Sequence, residues 1–305
     1  MSGCHDNSNR GFPERKKPNF FIVGAPKAGT TSLYYNLQQH PDIFLSDPKE
    51  TNFFSYKEIE GQNLYYRAPN ISTFSKYKAL FNKVNDEKII GEASVSYLYY
   101  KPVAERIHSF NPEAKIVILL RNPTYRAYSH YLMDHRLGLI DIPFEDVIFK
   151  KRDHKYLHLY YQQYVKLGLY EKQIARYLDY FGDDVKIYLM KELQENAKEL
   201  LMNLFQFLNI KEIEISTIEN RQRNSYIEAK YDWVRNLYGH EKFKRFLKSM
   251  ISDEVLSYVK KKVFDVDAVK PEMTQTTKRE LKKLYKPDII ATEKLINRSL
   301  SHWYN

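Results

Sequence analysis

The stretch Phe20–His40 constrains the chain more than any other. Four apolar residues, Phe20-Phe21-Ile22-Val23, run into Gly24-Ala25-Pro26-Lys27-Ala28-Gly29 and then Thr30-Thr31-Ser32. The apolar run fits a buried strand, although its length alone leaves a helix open. Glycine and proline break regular structure in the segment that follows. Threonine and serine favour helix N-termini, Leu33 and Leu37 share a helical face, and Pro41 stands just beyond the helix end. The expected order is strand, glycine-bearing loop, helix N-terminus. That order gathers backbone N–H groups and the positive end of a helix dipole around one point, where an anion is favoured.

Gly24 and Gly29 have the spacing of a nucleotide P-loop. A Walker A loop, however, places lysine directly after its second glycine. Here Thr30 stands in that place, and the lysine, Lys27, sits inside the loop. Two readings follow: a tight strand-to-helix turn with a solvated lysine, or a phosphate loop whose lysine works from another position.

Lys115–Leu120, KIVILL, is the clearest strand, and its unbroken apolar run implies burial on both faces, as in a parallel sheet. Further strands are expected at Pro41–Leu45, Lys88–Ile90 and Val185–Met190. Helices are expected at Pro102–Phe110, Thr124–Leu137, Tyr170–Phe181 and Asn196–Leu208, with only helices and loops from Ala229 onward. This alternation predicts an α/β fold with a central, mainly parallel sheet flanked by helices, to which the glycine loop, read as a phosphate loop, would add a P-loop-like nucleotide-binding core. Ligands of such sheets bind at the carboxyl ends of the strands. Polar signatures close three of these strands: Gly24–Ser32, Gly91–Ser96 and Arg121–Ser129. Residues 1–18 read as a flexible leader and residues 19–305 as a single domain.

Charge narrows the partners. Lys and Arg number 48 against 38 Asp and Glu, a net charge of +10, which suits an anionic partner such as a phosphorylated cofactor or a polyanion. The basic residues are spread along the chain, so neither nucleic acid nor a membrane surface is expected as partner. The single cysteine, Cys4, permits no internal disulfide, and no Cys/His group has zinc spacing. No apolar stretch resembles a signal peptide or a membrane span, so a cytoplasmic location is expected. The 26 tyrosines either line a polar pocket or pack the core. Nothing in the sequence indicates an oligomeric state.

Arg121 is informative because of what it replaces. A nucleotide kinase usually ends such a strand in an acidic residue that helps hold Mg²⁺. A guanidinium here offers a planar donor fork, and Ser129 falls on the following helix. Together they suit a second phosphate, unless Arg121 merely satisfies a helix end or a carboxylate. Beside the Lys27 loop, two phosphate sites without a metal-binding acid become the better reading.

GAPKAGTTSL followed by RNPTYRAYSHY resembles the cytosolic and carbohydrate sulfotransferases, which use 3′-phosphoadenosine 5′-phosphosulfate (PAPS). KETNFF, GEASVSYLY and LYKPDIIATEKLINRSLSHW extend the resemblance over roughly Phe20 to Trp303, closest to the heparan-sulfate-type and bacterial members. The resemblance implies a sulfotransferase fold, PAPS as donor, adenosine 3′,5′-bisphosphate as product, and no metal. Lys27 would contact the 5′-phosphosulfate and steady its bridging oxygen. Ala28 and the amides of Gly29, Thr30, Thr31 and Ser32 would cradle the 5′-phosphate, and Arg121 and Ser129 would hold the 3′-phosphate. Arg221 or Arg223 would close over it, although the glycine of the relatives' late loop is missing here. Glu50 matches the general base of the heparan-sulfate-type enzymes; alternatively it is a turn carboxylate paired with Lys49 or a helix end. Glu92 either touches the acceptor or makes a structural hydrogen bond, and Tyr97 either shapes the acceptor pocket or packs the core. Ala93 stands near where heparan-sulfate enzymes place lysine.

The expected reaction is sulfuryl transfer to a hydroxyl, or an amine, of a small molecule, natural product or sugar. Two readings compete with it. A small-molecule kinase would require ATP and Mg²⁺. A non-catalytic polyanion-binding protein would leave the Lys27 loop unexplained.

Overall fold

The computed structural model describes residues 16–66, 71–215 and 271–305, and the backbone alone of 228–229 and 264–265. Two compact units emerge: Met1–Asn122 with Leu169–Ile218 and Lys286–Asn305, and Pro123–Gly168 with Glu219–Tyr285.

The first unit is built on a sheet of five strands: β1 (Phe20–Gly24), β2 (Ile43–Leu45), β3 (Ile89–Ala93), β4 (Lys115–Leu120) and β5 (Val185–Leu189). Their order is β2-β3-β1-β4-β5, and every pairing is parallel. β1 lies in the middle with all five residues buried, and Ile116–Leu120 of β4 are fully buried, as their apolar runs require. β3 is longer than the sequence suggests and runs through Gly91 and Glu92. A side chain at Gly91 would place Cβ 2.6 Å from the Phe20 carbonyl oxygen, so only glycine lets β3 approach β1 there.

The chain leaves β1 for β2 on one side of the sheet, whereas β4 and β5 lie on the other. Such a reversal opens a crevice at the carboxyl ends of β1 and β4. Helices α1 (Thr30–Leu37), α2 (Tyr56–Gly61), α3 (Phe74–Ala79) and α4 (Pro102–Phe110) follow the first strands. Pro102 occupies the first turn of α4, where its missing N–H costs nothing, and Val103, Ala104, Ile107 and Phe110 are buried.

The second unit carries α5 (Pro123–Arg136), α6 (Phe144–Ile148) and α7 (Leu157–Tyr164). Its centre holds a fully buried cation: Arg126 on α5 donates through Nη2 to the carbonyls of Gln163 (3.0 Å) and Tyr164 (2.5 Å) at the end of α7. A cation at a helix C-terminus answers the negative end of the dipole. The Tyr285 hydroxyl donates to the carbonyls of Tyr164 and Val165 beside it.

The first unit resumes with α8 (Glu171–Phe181), α9 (Met190–Glu195) and α10 (Ala197–Phe207). α10 buries Leu200, Leu201, Leu204 and Phe205, and the Asn196 side chain caps it by accepting from the Glu199 N–H. α11 (Gln275–Leu295) belongs to the second unit up to Tyr285 and to the first from Lys286. One late feature departs from the expectation of helices and loops alone. Glu228–Ala229 pairs antiparallel with Phe264–Asp265, a ladder too short for any periodicity to announce.

Candidate active site

The loop between β1 and α1 leaves the sheet without losing its grip on β4, since the Ala25 N–H donates to the Leu119 carbonyl at 2.7 Å. The Ala28 N–H then turns back to the Ala25 carbonyl at 3.2 Å. Lys27 takes φ +65°, a left-handed conformation that costs a residue with a Cβ ~1–2 kcal/mol. Gly29, the N-cap of α1, takes φ +94°, and a Cβ there would also stand 3.1 Å from Leu193 Cδ2. Having no side chain, Gly29 caps nothing. α1 opens at Thr30, where backbone N–H groups point out of the helix end, and no acidic residue occupies its first turn. The loop therefore presents oriented N–H groups, the positive end of the dipole and a lysine, as its sequence suggests.

Arg121 follows β4 directly. Its Nη1 donates to the Lys27 carbonyl at 2.9 Å, and its own carbonyl accepts from the Tyr170 hydroxyl at 2.8 Å. Asn122 donates to the Trp303 carbonyl at 3.2 Å, so the C-terminal segment steadies the same strand end. Ser129 lies half-buried on α5 in the second unit. Arg221 and Arg223 lie outside the described residues.

Glu50 lies beyond β2 on the same carboxyl edge. Its Oε1 is 3.0 Å from the Lys49 ammonium and its Oε2 accepts from the Val95 N–H at 3.2 Å. Lys49 is thus the charge partner that the turn reading expects. Each carboxylate oxygen can accept twice, so these bonds leave capacity for an acceptor hydrogen, and 27% of the side chain remains exposed. Val95 belongs to the turn after β3, which is itself fastened to β1: Ser94 N–H donates to the Ile22 carbonyl (3.0 Å) and Leu98 N–H to the Val23 carbonyl (2.8 Å). Leu98 lies so close that a Cβ on Gly24 would meet its Cβ at 2.7 Å. Glu50 and the Lys27 loop are therefore braced by one turn.

Glu92 and Tyr97 make structural hydrogen bonds. Both are fully buried. Glu92 accepts from the hydroxyls of Thr51, Tyr77 (2.7 Å), Ser94 (3.0 Å) and Tyr97 (3.0 Å). Burial pushes its carboxyl above the ordinary range, and the four hydroxyl bonds pull it back. Burial also raises the phenols of Tyr77 and Tyr97. The sequence does not mark Thr51 and Tyr77 as partners of Glu92, because they lie 41 and 15 residues away. The one local signal is the Ser94-Val95-Ser96-Tyr97 cluster at a strand end.

Residues 17–296 match the sulfotransferase domain family. The chain belongs to that family. The crystal structure of a sulfotransferase from Alicyclobacillus acidocaldarius is 31% identical, covers 95% of this chain and 99% of its own, and superposes with a TM-score of 0.67. Carbohydrate sulfotransferase 15 of Mus musculus is 25% identical over 252 residues, 65% of this chain and 45% of that protein. Mouse sulfotransferase SULT7A1, solved in complex with PAP, shares the sulfotransferase fold: 16% identity, 92% of this chain, 89% of its own, TM-score 0.50. This sulfotransferase-family chain spans less than half the length of the curated relatives it matches.

Proposed function

We propose that this chain moves the sulfuryl group of PAPS to an acceptor hydroxyl. The observation that carries the reading is the hydrogen bond from Arg121 to Lys27: it brings a permanent cation to a glycine loop that opens on a helix N-terminus. A nucleotide with phosphates at both its 5′ and 3′ ends suits such a pair of cationic groups. The donor set fits it chemically, since amides, an ammonium and a guanidinium all donate, and phosphate oxygens accept.

The donor supplies the sulfuryl group, whose bond to the 5′-phosphate oxygen breaks as the acceptor oxygen bonds sulfur. Glu50 takes the acceptor's proton. Lys27, Ala28 and the amides from Gly29 to Ser32 hold the 5′-phosphate and meet the charge that gathers on it as it departs. Arg121 holds the 3′-phosphate through its planar fork. The acceptor is a hydroxyl of a sugar or other small molecule; a sugar is supported by the kinship with a carbohydrate sulfotransferase.

The test is radiolabelled PAPS with a panel of sugar, phenol and aliphatic alcohol acceptors in EDTA, beside an ATP and Mg²⁺ control. Label transferred in EDTA supports the reading. Phosphorylation from ATP with no transfer from PAPS overturns it.

A further inference from the structure

We propose that Glu92 is a positioning residue for Glu50: its buried carboxylate fixes the direction of the hydroxyl hydrogens that suspend the segment carrying the base. The inference rests on the assignment of Glu50 as base.

An ionised carboxylate only accepts, and a hydroxyl has a single hydrogen to give. Thr51, Tyr77 and Ser94 turn theirs onto Glu92. Tyr97 gives its hydrogen to Glu92 or to Thr51 Oγ1, 3.0 Å away, and in both cases keeps its lone pairs. With their hydrogens committed inward, three of these oxygens accept from successive amides of the segment. Asn52 N–H donates to Ser94 Oγ (3.0 Å), Phe53 N–H to Thr51 Oγ1 (3.3 Å) and Phe54 N–H to Tyr97 Oη (3.2 Å). One charge thus sets the polarity of a layer of hydroxyls, and that layer sets where three consecutive amides sit, starting two residues after Glu50.

The opposite side of the segment answers to the same turn. Ser96 Oγ donates to Asn52 Oδ1 at 2.6 Å, and the Val95 N–H holds Glu50 Oε2. Further out, Arg106 donates to the Phe54 carbonyl at 2.6 Å and pairs with both oxygens of Glu58, each at 2.7 Å. The base is therefore not on a free loop. It sits at the end of a segment whose hydrogen-bond directions lead back to Glu92.

Glu92→Gln keeps the shape and reverses the polarity. An amide donates two hydrogens where the carboxylate donated none, so some hydroxyls must turn and present hydrogens to the amides of 52–54. Thr51→Val removes one link while leaving Glu92 in place, and Thr51→Ser restores the oxygen. The experiment measures kcat and KM with PAPS, calorimetric affinity for adenosine 3′,5′-bisphosphate, and amide hydrogen exchange at residues 52–54. Glu92→Gln and Thr51→Val are expected to lower kcat by about tenfold to a hundredfold, as misplacement of a catalytic group does. Nucleotide affinity is expected to hold, exchange to quicken at 52–54, and Thr51→Ser to recover both rate and protection. Folded variants that turn over at the wild-type rate overturn the positioning role alone. Loss of nucleotide affinity together with protection throughout the sheet also overturns it, because it marks a merely structural group. A wild-type chain that transfers no sulfuryl group overturns the assignment of Glu50, and the inference with it.

Discussion

Arg121 Nη1 lies 2.9 Å from the carbonyl oxygen of Lys27 and donates to it. The end of β4 thereby fixes the backbone of the loop that leaves β1. Arg121→Ala is expected to weaken adenosine 3′,5′-bisphosphate about ten- to a hundredfold, the worth of one or two charged hydrogen bonds. Arg121→Lys is expected to fall between, since lysine keeps the charge and loses the fork. Titration calorimetry decides; an unchanged dissociation constant contradicts the assignment.

Glu50 is held by Lys49 and the Val95 amide with lone pairs to spare. Glu50→Gln preserves the size and removes the base, so kcat is expected to drop by ~10²–10⁴-fold. Nucleotide affinity is expected to stay as in the wild type. Steady-state rates beside calorimetry check this, and retained turnover removes Glu50 from the chemistry.

The two loop glycines make different demands. Gly29 needs its left-handed backbone and Gly24 needs empty space beside Leu98. Gly29→Ala is expected to cost ~1–2 kcal/mol of stability through its positive φ and to weaken nucleotide binding at the amides it displaces. Gly24→Ala is expected to cost ~1–3 kcal/mol by overpacking. Denaturant midpoints measure both losses. Wild-type stability in either variant contradicts the geometry.

Asp288 caps α8 by accepting from the N–H groups of Tyr170 (2.7 Å) and Glu171 (3.3 Å). Burial pushes its carboxyl up to about 6, against the two bonds that pull it down. A folded value above the unfolded one, about 3.9, means that the fold holds this proton more tightly. The contribution is complete below about pH 4 and is lost as pH rises through about 6. Asp288→Asn does not titrate. Between about pH 7.5 and about pH 4.5 the wild type is therefore expected to gain ~1–2 kcal/mol on that variant, after allowance for solvent screening. Denaturation of both proteins at the two pH values reads the gap, and a gap independent of pH contradicts the assignment.

The elements legible in the sequence are those whose own residues decide them. β4 coincides with the apolar run Lys115–Leu120, and α4 coincides with Pro102–Phe110, because a buried run and a first-turn proline are local signals. The Lys27 loop is legible for the same reason. β3 is not, since Gly91 and Glu92 read as a strand ending. Gly91 is there because Phe20 comes too close for any Cβ, and Glu92 is inside because Thr51 and Tyr77 bring hydroxyls to it. β5 errs the other way: Met190 reads as strand, but Glu192 reaches back to the Leu189 N–H at 2.6 Å and starts α9 there. The depth at which Glu92 and Tyr97 lie escapes the sequence on the same ground, because burial is set by partners distant in sequence.

The most direct test is a crystal structure with adenosine 3′,5′-bisphosphate bound. The account predicts the 5′-phosphate on the amides of Gly29–Ser32 beside Lys27, the 3′-phosphate on Arg121, and Glu50 facing the 5′ side. A nucleotide bound away from the Lys27 loop, or with its 3′-phosphate clear of Arg121, would contradict it.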